Sequence, residues 1–141
     1  MRVLSRHARA RIVPDTNVLV SALFWEGPES EVMHLAEADR VQGYTSMAMM
    51  SELYGVLTGN KFQFTHNEAD FAVTYYALIL KIVVPRKKIR LVLQDPDDDR
   101  LLECAVEARA HYVISGDKHL LALGKFGSSV ILQASQFLNL I

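Results

Sequence analysis

The strongest constraint on this chain is an alternation. Short runs rich in apolar and β-branched residues, RIV at 11–13, VQGYTS at 41–46, IRLVL at 89–93, HYVIS at 111–115 and SVILQ at 129–133, are separated by segments with helical spacing. Strands interleaved with helices cannot pair through tight hairpins, so they build a mainly parallel sheet with helices on its faces. The intervening pattern predicts a helix after Pro28 that buries Val32, Met33, Leu35 and Ala36, and a helix MAMMSELYGVL ended by Gly59-Asn60. It then predicts one long helix, NEADFAVTYYALILKIVV, stopped before Pro85, an Asp-rich helix from about 95, a helix DKHLLAL, and a last turn ASQFLNL. No repeat, low-complexity run or linker interrupts the 141 residues. The expectation is a single α/β domain over residues 12–141, behind a basic N-terminal extension at 1–11.

Within that frame the carboxylates are unevenly placed. Asp15 follows the first strand and Asp117 follows HYVIS, with only Gly116 between. Carboxyl ends of parallel strands are where ligands bind. Pro14 donates no ladder hydrogen bond, so it suits the last position of a strand. Glu52 lies on a helix among Met47, Ala48, Met49, Met50, Leu53, Tyr54, Val56 and Leu57. No Lys or Arg stands three or four residues away, so it must find a distant cation, find donors, or take up a proton. The densest cluster is QDPDDDRLLECA, with Asp95, Asp97, Asp98 and Asp99 inside five positions. Asp95 suits an N-cap, Pro96 the first helical position, and Asp97 and Asp98 the acidic first turn. Direction separates them. At about 100° per residue from Asp98, Leu102 lies near 40°, Leu101 near −60° and Ala105 near −20°, while Asp97 and Asp99 fall about 100° to either side. Asp98 thus continues the core-facing stripe, and a register error of one residue would exchange it with Asp99.

Carboxylates converging at a sheet edge repel, by about 4 kcal/mol for two charges 4 Å apart at an effective dielectric of about 20. A divalent cation relieves this, and an all-oxygen set suits Mg²⁺ or Mn²⁺ rather than zinc. The five histidines show no paired ligand spacing, and His111 and His119 are expected as ordinary loop or strand-edge residues. Cys104, the lone cysteine, excludes a disulfide within the chain, fits a helical core stripe, and points to a cytoplasmic setting.

These residues resemble a known family. PDTNVLVSAL, SELYGVL and DPDDDRLLECAVEARAHYVISGDKHLLAL are similar to the PIN domain, in particular to its toxin branch in prokaryotic toxin–antitoxin systems. The resemblance spans about 12–140. It implies a three-layer α/β/α sandwich and an Mg²⁺- or Mn²⁺-dependent ribonuclease whose acidic quartet is Asp15, Glu52, Asp98 and Asp117. It also implies that Asn17 and Ser115 hold Asp15 and Asp117; local turn capping is the alternative. Two places depart from the family pattern: Arg109 and His111 stand where Gly and an acid are expected, and TGNKF follows Leu57 in place of Arg-Pro-Lys-Phe.

A ribonuclease must grip RNA. Net charge is −1, so no bulk field attracts a polyanion and local patches must do so. Arg86, Lys87, Lys88 and Arg90 form the one basic run, and Lys61, Arg100, Lys118 and Lys125 lie near the motifs; a solvated loop is the plainer account of the run. Phe24-Trp25 and Tyr75-Tyr76 are expected to pack in the core or to meet a partner, either a second copy in a homodimer or an antitoxin. The apolar stretch at 75–84, interrupted by Lys81, is too short to span a bilayer, and MRVLSRHARA lacks a signal core, so no membrane partner is expected. Two competing readings remain. A phosphoacceptor signalling domain would use the acidic pocket for Mg²⁺ and one phosphorylated Asp, but it needs a lysine where this chain has Ser115-Gly116-Asp117. A non-catalytic binding module would use the acids only as caps.

Overall fold

The computed structural model describes residues 9–91 and 95–141. Among these, β1 (Arg11–Pro14), β2 (Gln42–Thr45), β3 (Lys81–Ile82), β4 (Tyr112–Ile114), β5 (Lys125–Phe126) and β6 (Ser129–Leu132) form one sheet in the order β3-β2-β1-β4-β6-β5. Every pairing is parallel except β5 with β6. The helices are α1 (Thr16–Phe24), α2 (Pro28–Glu37), α3 (Met47–Thr58), α4 (His66–Ile79), α5 (Pro96–Ala108), α6 (Lys118–Leu123) and α7 (Ala134–Leu138).

Side-chain alternation splits the core in two. Ile12 and Ile114 join residues of α1, α2, α3, α4 and α7, whereas Val13 and Val113 join residues of α5 and α6 on the other face. The fold is therefore an α/β/α sandwich. Each of the fully buried Val13, Val113, Leu102 and Leu120 contributes about 1.5–3 kcal/mol from burial. The chain steps from β1 to β2 on one side and later returns to β4 on the other. This switch opens a crevice at the carboxyl edge of β1 and β4, where loops collect in such sheets. Pro14 ends β1, and the Asp15 N–H already bonds to the Ile114 carbonyl at 2.9 Å.

Four segments differ from the sequence expectation. Helix α1 was not anticipated, since no element was assigned to TNVLVSALF; Asp15 caps it, and its buried Val18, Leu19 and Val20 pack as a helix. The long helix ends early: α4 stops at Ile79 and Leu80 is its extended C-cap, while Lys81 and Ile82 pair with Tyr44 and Thr45. The β-branched Ile82-Val83-Val84 before Pro85 favours extended backbone, and the edge of β2 supplies a partner. Residues 89–91 of the expected strand IRLVL are not a strand, and acids of α5 take the N–H groups of Ile89 and Leu91; 92 and 93 lie outside the described residues. The turn after α6 carries β5, also unanticipated. Residues 1–8 of the expected N-terminal extension lie outside the described residues as well. Arg109, where glycine was expected, has φ of 51° and caps α5 in the left-handed region that glycine tolerates best. No helix among the described residues is long and apolar enough to cross a membrane.

Candidate active site

Two strand ends and three helix starts meet at the crevice. Asp15 follows β1 and caps α1: its Oδ1 accepts from the Val18 N–H at 2.9 Å, and its Oδ2 accepts from the Ser115 hydroxyl. Only 7% of Asp15 is exposed. Burial raises its pKa, and the nearby Asp117 adds to this, against the Ser115 and Val18 hydrogen bonds. Ser115 is buried at the end of β4 and works both ways, since its Oγ also accepts from the Asp117 N–H at 3.0 Å. Asp117 caps α6 through the N–H groups of His119 and Leu120 at 2.8 and 3.0 Å.

Glu52 reaches the crevice from α3. With no cation beside it, it accepts from the Thr16 hydroxyl at 2.5 Å. Burial is the first cause that pushes its pKa up to about 7, followed by Asp97, Asp95 and Asp15. Asp98 comes from the first turn of α5. Its Oδ2 is buried without a hydrogen-bond partner among the described residues. Burial first, then Asp95, Asp117, Asp15 and Glu52, raise its pKa to about 7. A carboxylate oxygen left unpaired in a buried site is costly unless a proton or a cation meets it.

Asp15, Glu52, Asp98 and Asp117 line one small cavity of about 40 Å³, together with Asp95 and Asp97. Asp99 is not among its lining residues. It is 5% exposed, which the helical wheel did not foresee, because residues 89–91 cover that flank of α5 and the Leu91 N–H bonds to it at 3.1 Å. The sequence reading missed Thr16 as a donor to Glu52; its place between Asp15 and Asn17 was the available signal. It also assigned Asp95 and Asp97 to capping alone. The exposed Asn17 lines the cavity, but its main-chain N–H, not its amide, is what bonds to Asp15.

Hard oxygen donors around a raised-pKa cluster with an orphan buried oxygen suit a hard divalent cation chemically. Among the described residues no three acids or histidines stand at metal-holding spacing, so the donors ring the cavity without closing on one point. Of the other candidates, Arg100 is committed internally: it donates to both oxygens of Glu103 at 2.8 Å and to the Ile89 carbonyl at 3.1 Å. His111 accepts from the Arg11 N–H at 2.9 Å through Nδ1, and burial lowers its pKa. Burial pushes the Cys104 thiol up to about 12, which suits a core residue and not a nucleophile.

A roomier depression lies elsewhere, an apolar groove of about 460 Å³ lined by Phe24, Phe64, Phe71 and Tyr75 among others. Phe24 stacks on Phe62 at 4.7 Å, while the buried Tyr76 donates its hydroxyl to the Leu19 carbonyl at 2.7 Å.

With the geometry in place, comparison adds one match. The profile of a family described as PIN domain matches residues 11–119, a span that contains all four predicted acids. A search of curated proteins finds no match.

Proposed function

The chain belongs to the PIN-domain family, whose members are generally nucleases working with divalent metal ions, and from that premise we propose that it is an Mg²⁺- or Mn²⁺-dependent endoribonuclease. The observation that carries the reading is the orphan buried Oδ2 of Asp98, a residue that lines one 40 Å³ cavity with Asp15, Glu52 and Asp117 at the sheet's switch point.

In this reading Asp15, Asp98 and Asp117, which ring the cavity, would close on the cation and hold it. When bound, it supplies charge for the developing phosphorane oxygens and lowers the pKa of an attacking water. Ser115 and the α1 N-terminus fix the Asp15 carboxylate, so that its oxygens keep one orientation. Glu52, hydrogen-bonded to Thr16 at the rim of the cavity, would accept a proton from the attacking water. The water oxygen forms a bond to phosphorus and the bond from phosphorus to the 3′ oxygen breaks. The 3′ oxygen takes up a proton, leaving a 5′-phosphate and a 3′-hydroxyl. No serine, cysteine or histidine nucleophile is needed.

The test is cleavage of mixed RNA with Mg²⁺ or Mn²⁺ by wild type, Asp15→Asn, Asp98→Asn and Asp99→Asn. Metal-dependent cutting that stops with chelator and is lost in folded Asp15→Asn and Asp98→Asn supports the reading. Loss in Asp99→Asn alone would move the third ligand by one position, and labelling by acetyl phosphate without cleavage would favour the phosphoacceptor alternative. The reading extends to a cytoplasmic toxin held inactive by an antitoxin protein and assembled as a homodimer. It predicts growth arrest on expression, rescue by a co-purifying partner, and a two-copy mass in solution.

A further inference from the structure

An acidic cavity repels the polyanion it is meant to cut. With a net charge of −1 the whole molecule does nothing to offset that, so cations must stand close to the approach path. The structure supplies an arrangement of this kind. Three carboxylates of α5, Asp99, Glu103 and Glu107, recur every four residues and so share one flank of the helix. Each takes a main-chain N–H from the segment before α5. Glu107 accepts from Arg86 at 3.1 Å, Glu103 from Ile89 at 2.9 Å and Asp99 from Leu91 at 3.1 Å.

The partner order runs backwards along α5, so residues 86–91 lie antiparallel to it as a strap. At about 1.5 Å per residue the strap's attachment covers about 12 Å of the helix axis. It ends beside Asp99, one residue from the orphan carboxylate of Asp98. Val83 and Ile89 root the strap in the core under α5, and the Val83 N–H bonds to the Thr45 carbonyl at 2.9 Å.

This pinning sorts the basic run. Arg86 is paired with Glu107 at 3.3 Å, whereas Lys87, Lys88 and Arg90 are exposed and take part in none of the ion pairs among the described residues. The three acids of α5 are turned to the strap's backbone, and the strap itself carries no acid, so its exposed side chains at 87, 88 and 90 are positive.

We propose that Lys87, Lys88 and Arg90 form a phosphate track, which binds the backbone of a single RNA strand and leads it along α5 to the acidic cavity. The proposal deepens the ribonuclease reading and rests on it for the choice of RNA. The recognition is by charge alone, so it carries no base preference and is sensitive to salt.

The test separates binding from cutting. A labelled single-stranded RNA oligomer is titrated with the full chain in chelator, across a salt series, and affinity is read by fluorescence anisotropy. Three lost phosphate contacts at about 0.7 each reduce the slope of log affinity against log salt by about 2 for single strands. Lys87→Ala/Lys88→Ala/Arg90→Ala is therefore expected to lose about that slope and at least tenfold in affinity at low salt. Arg40→Ala/Lys81→Ala, which removes charge at positions just before β2 and at the start of β3, is expected to keep the slope. With metal present, the triple variant raises KM for long RNA and leaves kcat within about twofold. An unchanged slope in the triple variant overturns the track even if the protein cleaves RNA. A reduced slope in a protein that cuts nothing keeps the track and removes the nuclease reading.

Discussion

Asp98 is held among other carboxylates with one oxygen unpartnered, and this makes its substitution informative in two directions. Asp98→Asn keeps the shape and removes a repelling charge. It is expected to lower cleavage at least ~100-fold while stabilising the metal-free protein by about 1–2 kcal/mol at pH 8. Calorimetry and a turnover assay on the same preparation check both, and a less stable Asp98→Asn chain would contradict the crowded-charge account. Ser115→Ala acts differently. It leaves Asp15 without its hydroxyl donor and the Asp117 N–H without its acceptor, at a cost of about 1–3 kcal/mol by denaturant titration, together with slower cleavage. The types of these residues were legible in the sequence: acids after strands, an acid on an apolar helix, four aspartates at a helix start. Thr16 was not. It stands beside Asp15, yet it donates to Glu52 on another helix, a partner that only the packing of α1 on α3 supplies.

Element boundaries were legible where a local signal exists and hidden where a neighbour decides. Helix α5 begins at Pro96 with Asp95 as its cap, as expected. Helix α4 ends six residues before the proline that was expected to stop it, because β2 offers an edge to Lys81 and Ile82. That edge demands a close approach: a Cβ on Gly43 would lie 2.4 Å from Leu80 Cδ2, and Leu80 is buried. Gly43→Ala is expected to cost about 1–3 kcal/mol, and less in a Leu80→Ala background, since the truncated side chain clears the clash. Additive losses in the double variant would rule out that contact. The strap gives a second test. Glu103→Ala strands Arg100 and the Ile89 N–H together, so it should cost about 2–4 kcal/mol and speed amide exchange at Ile89.

For the whole molecule, the raised acids set a pH profile. The Asp98 pKa moves from 3.8 to about 7 and the Glu52 pKa from 4.5 to about 7. Between roughly pH 4 and 7 the folded chain binds more protons than the unfolded one, so stability without metal falls as pH rises through that window and levels off above it. The buried Asp15 acts with the same sign; His111, lowered from 6.5, acts against it. A divalent ion at about 100 times its Kd is expected to return about 2.7 kcal/mol at pH 8, and chelator to remove it. A melting temperature indifferent to Mg²⁺ and Mn²⁺ at that pH would argue against a bound ion. The sequence by itself determined the α/β class, the parallel sheet and the chemical character of the cluster, because periodicity, capping and residue type are properties of neighbours along the chain. Tertiary structure decided that Asp99, alone among the aspartates of DPDDD, stays out of the cavity lining, which cations of the basic run stay unpaired, and that Glu52 finds a hydroxyl in place of a cation. A side chain's burial and its electric field depend on groups distant in sequence, which the fold alone brings within a few ångströms.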